Sequence, residues 1–242
     1  MSTKATVLNI AIDIVTMPEA VARLEQFIAG KNPHMIATAN AEMVILAQED
    51  QELAAILNQC ALVVPDGAGV VWAARHQGYT MPERVAGYDL SQNLLAHAAR
   101  QGYRVFLFGS RPDIVEKAKK VAVERYPGLG IVGIRDGFFT PQDEPEIIEA
   151  IKTAKPDILL AALGVPRQEK WLAKNLSSLN VPVCMGVGGT FDVMAGTVKR
   201  APAWMQRCGL EWLFRLIRQP QRIIRMIALP RFALKVMFDK KC

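Results

Sequence analysis

Val105-Phe106-Leu107-Phe108-Gly109-Ser110-Arg111-Pro112, followed by the helical run Asp113–Arg125 and then by Ile131-Val132-Gly133-Ile134, is the stretch that decides the fold. A short apolar run closed by glycine reads as a strand, and the 3.6-residue periodicity that follows reads as a helix leading to the next strand. The same unit recurs along the first 190 residues. Strand-like runs stand at Val7–Ile10, Met35–Ala39, Leu62–Val64, Ile158–Leu163 and Val183–Met185, with helical segments at Pro18–Ile28, Glu42–Leu57, Gly69–His76, Leu90–Arg100 and Glu144–Thr153. Such βαβα alternation predicts a Rossmann-like α/β fold, a mostly parallel sheet with helices on both faces.

In that architecture ligands bind outside the carboxyl ends of the strands, so the strand ends become the places to search. They carry Thr38-Ala39-Asn40-Ala41-Glu42, Pro65-Asp66-Gly67-Ala68-Gly69, Gly109-Ser110-Arg111-Pro112, Arg135-Asp136-Gly137-Phe138-Phe139, Gly164-Val165-Pro166-Arg167-Gln168-Glu169-Lys170 and Gly186-Val187-Gly188-Gly189-Thr190-Phe191-Asp192. Glycine there permits a tight turn and close approach of backbone to ligand, and helix N-termini on the same rim offer N–H groups to phosphate. Gly109, Asp136, Phe138, Gly164, Gly188 and Gly189 are therefore expected around a nucleotide. Asp192 either orients a nucleobase or caps its helix.

The 242 residues are 51% hydrophobic and 21% charged with a mean hydropathy of +0.15, the composition of a folded protein with a large core. The net charge of +6 is unevenly distributed. Residues 199–242 hold 11 Lys and Arg against Glu211 and Asp239, a local charge of +9, and the first 198 residues sum to −3. No apolar run is long enough to span a bilayer, and Asp13 inside the first apolar stretch is wrong for a signal peptide. The four cysteines are scattered without metal-ligand spacing, which argues against a zinc site or a disulfide framework and fits a reducing cytoplasm.

Individual motifs leave alternatives open. Gly67-x-Gly69-x-x-Trp72 matches a dinucleotide fingerprint at only two of three small positions, and no acidic residue ends the next clear strand, so a tight turn is the simpler reading. Asp66 is placed to take a proton from a substrate hydroxyl, or equally to cap a helix. Arg84 suits a diphosphate, because its planar fork pairs bidentately with oxyanions; a surface ion pair with Glu83 or Asp89 is the bland alternative. Gln168 and Lys170 are suited to phosphate or base contacts at a helix start, where a solvated first turn is the default.

Beyond Thr197 the strand runs stop. Pro202, Pro220 and Pro230 divide the tail into about three short helices, in which Arg215 and Arg218, and Arg222 and Arg225, share helical faces opposite apolar residues. Bulky aliphatics and Trp between the arginines suit an anionic membrane surface better than nucleic acid.

Taken together, the strand-end strings beginning at Thr38, Pro65, Gly164 and Gly186, with Glu83-Arg84-Val85-Ala86-Gly87, Lys199-Arg200-Ala201-Pro202 and Gly209-Leu210-Glu211-Trp212-Leu213-Phe214-Arg215-Leu216, resemble the WecG/TagA/CpsF glycosyltransferase family in order and spacing. The resemblance implies a metal-independent, inverting hexosyltransferase without a cofactor. It would move N-acetylmannosamine from UDP-ManNAc, a substrate, to the C4 hydroxyl of undecaprenyl-diphosphate-linked GlcNAc in cell-surface polysaccharide synthesis. Another UDP-sugar donor is the enzymatic alternative, and a nucleotide- or polyanion-binding regulator the non-catalytic one. The resemblance makes Asp66 the base, places Thr38 and Asn40 in the same pocket, assigns Arg84 to diphosphate and picks out Gln168. It divides the chain into a catalytic domain, 1–198, and a membrane-targeting helical appendage, 199–242, in which Arg215, Arg222 and Arg225 cover the lipid diphosphate. It implies a peripheral protein on the cytoplasmic face of the membrane, without nucleic acid, and is compatible with a homo-oligomer. Ala39 stands where relatives often have Pro, which leaves the neighbouring polar residues untouched.

Overall fold

The computed structural model describes residues 4–222 and 226–239. Its centre is a six-stranded, all-parallel sheet in the order β4-β3-β8-β7-β5-β6, with β3 His34–Ala39, β4 Leu62–Pro65, β5 Arg104–Gly109, β6 Gly130–Arg135, β7 Ile158–Ala162 and β8 Val183–Gly186. Successive residues of each strand feed opposite faces. Ala37, Val63, Phe108, Leu159 and Cys184 pack under α2 (Ala41–Ala47), α3 (Gln51–Gln59), α4 (Ala68–His76), α7 (Glu144–Ala154) and α8 (Arg167–Leu179). Ile36, Val64, Leu107, Leu160 and Met185 pack under α1 (Met17–Gly30), α5 (Gly87–Gln101), α6 (Pro112–Arg125) and α9 (Thr190–Met194). Both faces are dry, which is why the strands read as continuous apolar runs.

Two expectations change. The run Val7–Ile10 is not one strand but the turn of a hairpin joining β1 (Lys4–Val7) to β2 (Ile10–Asp13), because Leu8 and Asn9 both adopt left-handed backbone, φ 46° and 65°. Two consecutive positive φ values are what a tight two-residue hairpin loop demands. The helix expected over Glu42–Leu57 breaks in two, since Asp50 accepts the Leu53 N–H (3.0 Å) and caps α3 as a new helix. The hairpin covers the edge strand. Asp13, 1% exposed, accepts the Val63 N–H of β4 at 2.8 Å and pairs with Arg23 at 3.0 Å, satisfying a backbone donor that an open sheet edge would leave unpaired.

The C-terminal helices follow the prolines. Pro202 precedes α10 (Ala203–Arg207), α11 (Glu211–Arg218) stops before Pro220, a single 3-10 turn spans Pro220–Arg222, and Pro230 lies in the first turn of α12 (Ala228–Phe238). Helix α12 docks on α2 and α4 through buried Phe232 and Val236. Among the described residues no helix is long and apolar enough to cross a membrane.

The first turn of α8 points two polar side chains inward, Gln168 and Glu169. The Gln168 amide donates to Glu169 Oε1 at 2.8 Å, while Glu169 Oε2 has no partner. Burial pushes the Glu169 carboxyl up to about 7. Between the ordinary carboxylate value and that figure the folded protein keeps a proton that the unfolded chain has released, so stability falls as pH rises through this window and levels off above it. The loss is on the order of 3 kcal/mol at about 1.4 kcal/mol per pH unit. We expect Glu169→Gln to flatten the pH dependence of unfolding free energy between about pH 4.5 and 7. Urea titrations at a series of pH values check this, and parallel slopes for the two proteins would mean that Glu169 ionises in place.

Candidate active site

Because the sheet is parallel, every strand end lies on one rim, and the rim residues fall into two groups. The first gathers at the end of the edge pair β3 and β4. Asp66 follows β4 directly, and its N–H donates to Ala39 O at 2.8 Å, fixing it beside the end of β3. The string Glu83–Gly87 runs along the same edge: the Val85 N–H bonds Pro65 O at 3.0 Å, and the Gly87 N–H, at the start of α5, donates to the Asp66 carboxylate. Gly87 must be small, because a Cβ there would come within 2.9 Å of Thr38 Cγ2. Thr38, Asp66 and Gly87 therefore form one continuous surface.

The capping alternative for Asp66 fails for the helix that follows it, since Gly67 is the N-cap of α4 and no side chain caps that end. Asn40, by contrast, does cap: its Oδ1 accepts the Met43 N–H at 2.9 Å, leaving the amide nitrogen unengaged among the described residues. Burial raises the Asp66 carboxyl above the usual range even though one edge stays accessible. The nearby Arg84 charge, the Gly87 N–H and Arg215 oppose the rise, and Glu211 adds to it. Arg84 pairs with neither Glu83 nor Asp89. Glu83 instead accepts the Met17 N–H at 2.6 Å, and Arg84 meets Glu211 of α11 at 3.2 Å. Arg215 joins the same carboxylate at 3.1 Å. Thus residues of the C-terminal helices stand beside the Asp66 loop. Arg222 falls in the 3-10 turn, and Arg225 lies outside the described residues.

The second group lines a cavity of about 690 Å³ around the ends of β5, β6, β7 and β8. Here the chain leaves β5 toward one side of the sheet and β7 toward the other, the switch point at which doubly wound sheets bind nucleotides. Phe138, Gly164, Gly188, Gly189 and Asp192 all line it. A Cβ on any of these three glycines would meet nothing within 4 Å, so the space above them is open to a ligand. Phe138 is 69% exposed at the mouth. Asp192 closes the turn after α9 with its backbone carbonyl, which accepts the Thr197 and Val198 N–H groups, and its carboxylate is left to the cavity.

Three expected residues work from behind this wall. Asp136 does not line the cavity; it accepts the Phe138 N–H at 2.8 Å and shapes the turn that presents the ring. Gly109, at φ +115°, lets β5 pass so close to β7 that a Cβ would lie 2.5 Å from the Ala162 backbone. Gln168 is 1% exposed, and its Oε1 accepts the N–H groups of both Gly164 (3.2 Å) and Gly188 (3.1 Å), tying two glycine loops together. Its carboxamide is thereby engaged inside the protein. Lys170 is likewise engaged elsewhere, between Asp50 and Glu52. Reading the sequence missed Arg111 and Arg167, which line the cavity two and three residues beyond Gly109 and Gly164. The signal was present, an arginine beside proline at a strand end: Arg111-Pro112 and Pro166-Arg167.

A further cavity of about 790 Å³ opens between α4 and α10, where Trp72, Val71 and Cys208 mix with Arg75, Arg84 and Arg207. Trp72 is 40% exposed here and stacks on His76, so it occupies no helix–strand contact and the dinucleotide fingerprint has no structural counterpart.

Comparison with known proteins gives the family. The family model described as glycosyl transferase WecG/TagA/CpsF matches residues 5–242. A Bacillus subtilis (strain 168) protein named N-acetylglucosaminyldiphosphoundecaprenol N-acetyl-beta-D-mannosaminyltransferase is 36% identical over 217 residues, covering 90% of this chain and 84% of its own. A protein of the same name from Staphylococcus aureus (strain MW2) is 32% identical over 240 residues, covering 98% and 94%. With a six-stranded parallel sheet and matching strings along nearly its whole length, this chain belongs to the WecG/TagA/CpsF glycosyltransferase family.

Proposed function

We propose that this protein transfers N-acetylmannosamine from UDP-ManNAc to the C4 hydroxyl of GlcNAc carried on undecaprenyl diphosphate, with inversion at the anomeric carbon. The observation that carries this reading is a desolvated carboxylate, Asp66, flanked by Arg84 and Arg215 at one end of the rim that holds the nucleotide-sized cavity at the other. The names of the relatives supply the sugar and the acceptor. Asp66 and the cavity are separated by about three strand spacings, roughly 14 Å, a gap that a nucleoside diphosphate sugar bridges end to end.

In this reading Phe138 and Asp192 receive the base, and the glycine loops with Arg111 and Arg167 receive the donor diphosphate. The acceptor oxygen gives its proton to Asp66 and attacks the anomeric carbon as the bond from that carbon to the diphosphate oxygen breaks, the electron pair leaving with UDP. Desolvation makes Asp66 a stronger base than an exposed carboxylate. Positive charge and backbone N–H groups hold the departing diphosphate without a metal or cofactor. Arg84 and Arg215 face the acceptor's diphosphate, a role that the family resemblance extends to Arg222 and Arg225, and the cavity beside Trp72 suits the junction between that charge and the prenyl chain. Residues 1–198 then form the catalytic body, and residues 199–242 meet the anionic cytoplasmic surface of the membrane through Trp204, Trp212, Ile217, Ile227, Leu234, Met237 and Phe238, all exposed.

Incubating the protein with UDP-ManNAc and a short-chain GlcNAc-diphosphate lipid should yield a disaccharide lipid and UDP. No product from UDP-ManNAc, UDP-glucose or the UDP-ManNAc uronic acid would end the transferase reading, and product from another donor alone would correct the sugar. Asp66→Asn should lower kcat by about 10²–10⁴-fold. In the wild type the acid limb of kcat/KM should lie above the ordinary carboxylate value of about 4, with rate rising through it as the base ionises. Full-length protein carrying Ile217→Glu and Phe238→Glu should bind phosphatidylglycerol vesicles at least tenfold more weakly, on the order of one buried side chain's transfer energy. Undiminished co-sedimentation would remove the membrane assignment.

A further inference from the structure

Among the described residues, the C-terminal helices α10, α11 and α12 are seated by different forces. Helix α10 has buried Met205, and the turn after it brings Gly209 so near Ala68 that a Cβ would lie 2.8 Å away. Helix α12 is seated by Phe232 and Val236. Helix α11 has no fully buried residue, only half-buried Leu213, Phe214 and Leu216, so its apolar packing is the weakest of the three. What it has is Glu211, whose side chain is only 13% exposed and which meets three guanidinium groups: Arg84 at 3.2 Å, Arg215 at 3.1 Å and Arg200 at 3.6 Å.

We propose that Glu211 is a positioning residue: it seats α11 against the catalytic edge and holds Arg84 and Arg215 where the acceptor's diphosphate has to arrive. The socket it enters is assembled in advance. Arg200 is held by a bidentate pair with Asp89 of α5, 2.5 and 2.7 Å, and its guanidinium lies 4.7 Å from the Tyr88 ring centre. Three cations, Arg84, Arg200 and Arg215, are balanced by three carboxylates, Glu211, Asp89 and Asp66. Removing Glu211 leaves a net positive, self-repelling cluster whose part-buried members have lost their common partner. The carboxylate also sits in the first turn of α11, where the helix dipole favours negative charge. One side chain thereby links body to tail. Its effect falls on the acceptor, since the donor cavity lies strands away and shares none of these residues.

The inference rests on the transfer reading for its substrates, so its test has an arm that does not. In full-length protein without substrate, Glu211→Gln should speed amide hydrogen exchange across residues 211–218 by about tenfold or more, as a local opening made cheaper. Unchanged exchange there would overturn the proposal whatever the enzyme's substrates. In steady-state assays Glu211→Gln should lower kcat/KM for the prenyl-diphosphate acceptor by about 10- to 100-fold, the scale of lost charge-assisted contacts, and leave KM for the UDP-sugar within about twofold. Glu211→Asp, which keeps the charge, should recover part of the loss. A purely structural role would instead lower donor and acceptor parameters together with the thermal midpoint, and that result would overturn positioning. Should the wild type transfer no sugar, the transfer reading fails by itself, and the exchange measurement still decides whether Glu211 seats α11.

Discussion

Six parallel strands, covered by helices on both faces, bring all their carboxyl ends to one rim. Helices bury the two faces, the hairpin seals the β4 edge through Asp13 and the Val63 N–H, and the carboxyl-end rim carries an open, glycine-lined cavity. Every functional group discussed above belongs to that rim or is delivered to it. The order of strands then sorts them: the edge pair β3 and β4 holds the carboxylate and its cationic neighbours, and the β5/β7 switch point holds an open, glycine-lined cavity. Strand order thus keeps the carboxylate and the cavity apart along one rim.

Within this frame several polar side chains act on backbone rather than on a ligand. Gln168 holds the Gly164 and Gly188 loops together, Asp136 shapes the turn under Phe138, and Asn40 starts α2. Short glycine-rich loops have little packing of their own, and hydrogen bonds from buried side chains are how such loops are held in one conformation. Charge is distributed by the same logic. The first 198 residues sum to −3 and residues 199–242 to +9, and at least Arg215 of that basic tail turns inward to meet Glu211.

The sheet, its parallel sense and the rim were legible because continuous Val, Ile, Leu and Phe runs ending in glycine have few other readings. The hairpin was hidden by Leu8, an apolar residue in a left-handed conformation that sequence patterns assign to glycine or asparagine. The break after Ala47 was hidden because the periodicity of α2 and α3 stays nearly in phase, and Asp50 reads as an ordinary exposed acid until its bond to Leu53 is seen. At the site, Asp66 was marked by its strand end and Arg84 by its Gly- and Pro-punctuated loop, with alternatives left open at both, whereas the pairing of Arg84 with Glu211 is a contact 127 residues away in sequence. No local pattern encodes such a contact. The inward turn of Gln168 escaped for a related reason: a helix start gives a polar residue no sign of which way the helix will roll against the sheet.

Helix α12 packs on α4, the helix that continues from the Pro65–Gly69 loop, and the Phe232 ring lies 3.7 Å from where a Cβ on Gly69 would stand. The loop bearing Asp66 therefore acquires this neighbour only after residue 232 has been synthesised. During translation β3 and β4 can pair while this side of the Asp66 loop is still bare, and α12 covers it afterwards. The Pro65–Gly69 loop thus takes its final surroundings from a segment made long after it.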